Sequence, residues 1–346
     1  MLPIETPNPL FGLYLYPTAK EIMEQQQDIM WFAQEIKVED DIQDYRQRMQ
    51  PDALQLTTLT LQLFVEIEQK VGEVWNQIAS WFPHSEIEGA CTQIAAIEKS
   101  VHAFFYQKMS DTLNIDPEEI AHNQQTIGVL RNKLQFLGSI TSNLASNKPL
   151  SLATVSLIEQ VLLFSNFSML KSFKANGHNL IPNTLTGVDY VVNDEVLHGV
   201  FATYLHNTYI AEYSNYVAPF DMNTHELNVR RLTSEIIAHE DAVIDYCFQA
   251  NVPINDITGE QLKQFIRSRA NKVLNDLGMQ PMYTIAANPI ADWFYKGANS
   301  LKLHDFFKAG TNQYRRGWSA QAFSRLPYLE VQHELDRKST RLNSSH

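Results

Sequence analysis

The chain has 346 residues, of which 44% are hydrophobic, and a formal net charge of −12 at pH 7. A substantial core is therefore available. The acidic balance argues against a nucleic-acid surface, because adjacent arginines occur only in the isolated pairs Arg230-Arg231 and Arg315-Arg316.

Residues 1–17 carry Pro3, Pro7, Pro9 and Pro17 and read as an extended arm. They show neither a basic n-region nor an apolar h-region, so no signal peptide is expected. A helix is expected over 18–36, through Trp31, and a long one from about Asp52 to 82, broken by Pro83. Ser85-Glu-Ile-Glu88 resembles a capping box before a helix to about 112. Asp116-Pro-Glu-Glu119 starts another, running to about 145. Further helices are expected over 150–176, 184–215, 223–250 and 258–277. The stretch 152–170 is interrupted by Glu159, Gln160 and Asn166, so no membrane span is expected. Beyond Pro289 the pattern becomes irregular and aromatic. Alternation long enough for a sheet is missing. The expected organisation is one helical domain over 18–315 and a flexible tail over 316–346. Residues 336–346 contain a single leucine and no aromatic, and they need not be native. Cys91 and Cys247 make no disulfide framework, which suits a reducing cytoplasm.

Periodicity places several polar residues on inward stripes. Glu68 falls among Leu61, Phe64, Val71 and Trp75, and Glu159 among Val155, Ile158, Leu162 and Leu163. Ala95, Lys99, His102 and Tyr106 form a third stripe, and Glu195, His198 and Ala202 a fourth. Unpaired buried carboxylates are costly, so acids and histidines on four inward faces call for a common cation. In a helical bundle holding a carboxylate-bridged metal pair, two helices each supply Glu-x-x-His and two others one carboxylate each. Glu195-Val-Leu-His198 obeys that rule, and Lys99-Ser-Val-His102 departs from it by a lysine. The expected fold is all-α, a ferritin-like bundle with additional peripheral helices. His239-Glu240, preceded by Glu235 and close to Arg230 and Arg231, is a competing pair and reads as a solvated face. His333-Glu334 lacks the second histidine of a zinc-protease pattern.

With the order Glu68, Lys99-x-x-His102, Tyr106, Glu159, Asp194-Glu195-x-x-His198, the chain resembles the radical-generating small subunit of class I ribonucleotide reductase. The stretches Leu61-Gln-Leu-Phe64 with Val71-Gly72, Ser172-Phe-Lys174, Asn193-Asp-Glu-Val-Leu-His198 and Asn288-Pro-Ile-Ala-Asp-Trp293 carry the resemblance too. It spans about Gln26 to Tyr314. The resemblance implies an iron or manganese site and a stored oxidising equivalent passed to a large subunit that reduces ribonucleotides. It also implies a homodimer. By position, Tyr106 matches the radical tyrosine, and Trp31, Asp194 and His102 match the buried connection to the metal. Leu163, Phe167 and Val191 match the apolar shell, and Tyr328 is the best match for the tyrosine of the tail.

Two readings of the departure stand side by side. In one, Glu98 replaces the missing ligand through a local π-bulge, being four residues before His102. In the other, Lys99 enters the site as an ammonium paired with Glu68, Glu159 or Glu195. That reading leaves fewer than two ions per chain, or a metal-free radical site. A second function class is a related ferritin-like oxidase that binds a long-chain ligand and needs no large subunit. A third, a non-catalytic helical scaffold, is disfavoured by the inward acids.

Overall fold

The computed structural model describes residues 2–10, 13–249 and 252–297. The helices are α1 (Pro17–Asp28), α2 (Pro51–Ala79), α3 (Ser85–Ile97), α4 (Ala103–Leu113), α5 (Pro117–Thr126) and α6 (Gly128–Ile140). They continue with α7 (Lys148–Leu157), α8 (Phe164–Lys171), α9 (Pro182–Tyr216), α10 (Met222–Cys247), α11 (Gly259–Asp276) and α12 (Pro289–Gly297). Among the described residues the only β feature is an isolated bridge between Ile254 and Ile257. The all-α bundle is the expected fold.

Two wide, π-type turns interrupt the core helices: Glu98–His102 joins α3 to α4, and Ile158–Leu162 precedes α8. The central bundle is α2, α3 with α4, α7 with α8, and α9. Helix α2 packs on α3 and α4, and α7 packs on α9. Helices α10 and α11 lie against α7 and the 158–162 turn. The segment 148–171 is apolar and long enough to cross a membrane, yet 94% of that window is buried inside the protein. It is the innermost layer of the bundle.

Local chemistry explains most boundaries. Proline in the first turn opens α2, α5 and α9. Asp116 caps α5, and a reciprocal Thr258/Gln261 capping box starts α11. The first turn of α9 is satisfied from outside its own sequence. Buried Asp41 accepts from the Asn183 and Thr184 backbone N–H groups, and Asp44 accepts from that of Ile181, which sits at φ 48°.

Four expectations are corrected. Helix α1 ends at Asp28, so Trp31 lies in the irregular segment after it, where its ring can turn into the core. The expected 117–145 helix is divided at Ile127, whose ψ of 108° is extended backbone ahead of Gly128. The capping box at Ser85 does not form, because His84 occupies the N-cap position and Ser85 is already the first helical residue; buried Glu86 accepts a hydrogen bond from the Tyr16 backbone N–H at 2.9 Å. Glu240 is fully buried rather than solvated, because Lys133 of α6 reaches it at 2.6 Å. In the arm, a 3₁₀ turn at Pro3–Glu5 packs Ile4 into the core, with its N–H on Glu212 of α9 at 2.7 Å.

A buried pair, His206 of α9 and His225 of α10, bonds Nε2 to Nε2 at 2.8 Å. One ring must donate and the other accept, so a second proton would set two N–H groups face to face. Burial pushes His206 down to about 3. The unfolded chain therefore takes up a proton near pH 6.5 that the folded chain refuses until about pH 3. This contribution to stability is complete above pH 6.5 and is lost as the pH falls through that window, at roughly 1 kcal/mol per unit. Thermal unfolding from pH 7 to 5 should fall less steeply in His206→Gln than in the parent. Equal slopes would exclude His206 as the titrating group.

Candidate metal centre

Four segments deliver the site. Helix α2 contributes Glu68, the 98–102 turn Glu98 and His102, the 158–162 turn Glu159, and α9 contributes Glu195 and His198. All six side chains are buried, and they form two quartets whose ligand atoms lie within 4.8 Å of one another. One quartet is Glu68, Glu98, His102 and Glu195; the other is Glu98, Glu159, Glu195 and His198. Glu98 and Glu195 belong to both, as bridging carboxylates would. His102 Nδ1 lies 3.2 Å from Glu68, 3.4 Å from Glu98 and 3.1 Å from Glu195, and His198 Nδ1 lies 2.8 Å from Glu98.

These short approaches are mostly not hydrogen bonds. Oxygens of Glu68, Glu98, Glu159 and Glu195, together with His198 Nδ1, have no hydrogen-bond partner despite full burial. Such orphaned lone pairs converging on one place fit metal ions. Charge leads to the same conclusion. Burial, then the charge of Glu98, pushes Glu68 and Glu195 well above the carboxylate range, and burial also raises Glu98. Burial works against the His102 imidazolium, but the charge of Glu98 and the adjacent carboxylates of Asp194, Glu195 and Glu68 outweigh it. Without cations the cluster must hold protons, and divalent ions would displace them.

The far nitrogens of both histidines are tied down, which directs Nδ1 at the centre. His102 Nε2 bonds Asp194 Oδ2 at 3.0 Å, and His198 Nε2 bonds Gln26 Oε1 at 3.1 Å. Gln26 also donates to Asp194 Oδ1 at 2.9 Å, joining the two arms. Trp31 Nε1 donates to Asp194 Oδ2 at 2.8 Å, and its ring stacks on His102 at 6.0 Å between centroids. The expected Trp31–Asp194–His102 connection is therefore continuous. Tyr106 is fully buried, stacks on Phe64 at 4.4 Å, and its hydroxyl has no partner. Burial, then Glu68, pushes its phenol well up, so it stays protonated. Leu163, Phe167 and Val191 are fully buried too, with Phe167 against Phe64.

Lys99 is not in the site. It is half-buried and, among the described residues, makes no ion pair with Glu68, Glu159 or Glu195. Its stem lies over α2, where a Cβ on Gly72 would meet Lys99 Cγ at 2.8 Å. The reason is the wide turn. Spreading five residues over one loop of hydrogen bonds moves the residue four before His102 to the azimuth that a regular helix gives the residue three before it. The turn thereby brings Glu98 inward and carries Lys99 out.

Two supporting residues escaped the sequence reading. Gln26 carried no periodic signal. Trp75 did lie on the stripe with Glu68, but it was read as apolar, whereas its indole Nε1 donates to Glu159 Oε1. Tyr328 and the tail lie outside the described residues.

Residues 13–289 match the family model described as ribonucleotide reductase, small chain. A probable ribonucleoside-diphosphate reductase small subunit of Invertebrate iridescent virus 3 is 23% identical over 325 residues, covering 88% of this chain and 84% of that one. The ribonucleoside-diphosphate reductase subunit beta of Treponema pallidum (strain Nichols) is 24% identical over 322 residues, covering 88% and 87%. Among solved structures, dimanganese(II)-NrdF of Streptococcus sanguinis superposes with a TM-score of 0.72 at 19% identity, covering 82% of this chain and 98% of that one. The R2 subunit of Clostridium botulinum gives 0.70 at 17% identity, covering 82% and 88%.

Proposed function

This chain belongs to the ribonucleotide reductase small-chain family, and we propose that it binds two iron or manganese ions and stores an oxidising equivalent at Tyr106. As a small subunit it works with a large catalytic subunit, on ribonucleoside diphosphates. The observation that carries the reading is the pair of quartets sharing Glu98 and Glu195 beside a buried, unpartnered phenol. Four buried carboxylates carry four negative charges, which two divalent ions neutralise. Bound there, the metal pair would supply one-electron oxidising power once an external oxidant had raised it above the divalent state. The ligand-binding oxidase reading is not favoured by the family match.

The protein's own groups divide the remaining work. Glu98 and Glu195 would bridge, while Glu68 with His102 and Glu159 with His198 would close the two ends. Asp194 and Gln26 hold the imidazoles with Nδ1 unprotonated toward the centre. The aromatic wall of Phe64 and Phe167 excludes water from Tyr106, so a phenoxyl formed there is not quenched. The indole of Trp31 passes an electron between Asp194–His102 and the surface facing the large subunit. The same reading makes the protein a cytoplasmic homodimer, consistent with two cysteines that are free in the fold.

The test is reconstitution: metal-loaded protein mixed with a cognate large subunit should reduce ribonucleotides, and either protein alone should not. Activity without a large subunit would overturn the reading. Trp31→Phe should keep the Tyr106 radical and the metal content while turnover falls by at least about 100-fold. The indole N–H to Asp194 is lost, but no metal ligand is. Unchanged turnover would remove Trp31 from the route.

A further inference from the structure

Two buried cations from the outer helices meet on the wide turn that carries Glu159. Lys133 of α6 is fully buried; its Nζ donates to the Leu162 carbonyl at 2.9 Å and pairs with Glu240 of α10 at 2.6 Å. Ser165 completes this cluster with a hydrogen bond to Glu240. Arg269 of α11, 3% exposed, donates from Nε to the Gln160 carbonyl at 3.0 Å. Its Nη1 reaches the Tyr295 hydroxyl at 2.9 Å, and its guanidinium lies 3.8 Å over the Phe164 ring.

A wide turn disturbs the regular i to i+4 ladder and leaves carbonyls in need of donors. Carbonyls 160 and 162 are the ones these two cations serve, directly after Glu159. A fully buried Lys–Glu pair is a poor way to gain stability alone, since a hydrophobic pair of similar volume often does as well. A donor aimed at a carbonyl of the wide turn is a function that such a hydrophobic pair lacks. On the other side of the turn, Gln160 packs against α9 so closely that a Cβ on Gly199 would meet its Cγ at 2.3 Å. The turn is thus gripped from three helices.

We propose that Lys133 and Arg269 are positioning residues that hold the Glu159 turn open, and so set the affinity of the Glu98/Glu159/Glu195/His198 metal position specifically. The inference rests on the two-ion reading above. It makes the two metal positions unequal in what they require: the second depends on the clamp, and the first does not.

The test uses the full chain with Lys133→Met/Glu240→Met, which removes the donor without leaving an unpaired charge, and with Lys133→Arg as the conservative rescue. Mn(II) titration followed by EPR, and amide exchange over residues 158–163 in metal-free protein, are the readouts. The double variant should lose about tenfold or more in affinity for one ion. The coupled two-ion EPR signal should give way to an isolated Mn(II) signal like that of Glu159→Gln. Exchange over 158–163 should accelerate about tenfold or more, and Lys133→Arg should restore both towards the parent values. Parent-like affinities and exchange in a folded double variant would overturn the proposal. If that variant fails to fold, Arg269→Gln is read by the same two measurements and the same criteria. A parent that binds no Mn(II) would instead refute the metal-centre reading, while the exchange data would still decide whether the clamp holds the turn.

Discussion

On the proposed two-ion reading, Glu98→Ala should lose at least one of the metal ions, and Lys99→Ala should leave both in place. Glu98 is the only residue of the 95–99 segment whose carboxylate belongs to both quartets, with oxygens 2.8 Å from His198 and 3.4 Å from His102. Removing it takes a bridging ligand from both ions at once. It also leaves Glu195 as the one carboxylate shared between the His102 and His198 groups. Losses from outer-shell partners alone run to roughly 10–100-fold in metal affinity. A shared ligand should cost more than about 100-fold for at least one ion. Lys99, by contrast, is half-exposed over Gly72 and pairs with none of the site's carboxylates, so its truncation should change affinity by less than about threefold. Lys99→Glu should likewise leave the stoichiometry at two. Elemental analysis with Mn(II) titration reads all three variants. If Lys99→Ala lost an ion while Glu98→Ala kept two, the assignment of the turn would be reversed.

Tyr106→Phe should abolish the tyrosyl EPR signal and lower turnover by more than about 100-fold, with the metal content unchanged. The phenol oxygen is the group lost, and no ligand atom depends on it, because the Tyr106 hydroxyl has no hydrogen-bond partner. The ring remains to stack on Phe64. Removing a buried hydroxyl that lacks a partner relieves an uncompensated desolvation, so the melting temperature should hold or rise. That combination separates loss of the radical from loss of the fold. A full-strength tyrosyl signal in the variant would show that the oxidising equivalent resides elsewhere.

Residue order and period determined a good deal about this protein without any tertiary information. Glu68, Glu159, Glu195 and His198 were legible as inward-facing, because each shares a helical stripe with apolar residues and an unpaired buried charge is too costly to be accidental. The all-α class followed from the same periodicity. Trp31, Asp194 and His102 were legible through resemblance, and the structure joins them in one chain of hydrogen bonds.

The choice between Glu98 and Lys99 was of another kind. Residues three and four before His102 flank the same line on a regular helix, so period alone assigns neither. Only the packed bundle, by widening the 98–102 turn and seating Lys99 over Gly72, selects the glutamate. The burial of Glu240 is hidden from the sequence for a related reason: its charged neighbours in sequence suggest solvent, and the lysine that accompanies it into the core comes from a distant helix. Gln26 and Trp75 were invisible as site residues, since an amide and an indole acquire their roles only from the atom they face. Which face of a helix turns inward is a property of local period, and the sequence carries it. Which polar atom ends opposite which depends on hydrogen-bond ladders, close backbone approaches and partners from other helices, and those exist only once the chain has folded.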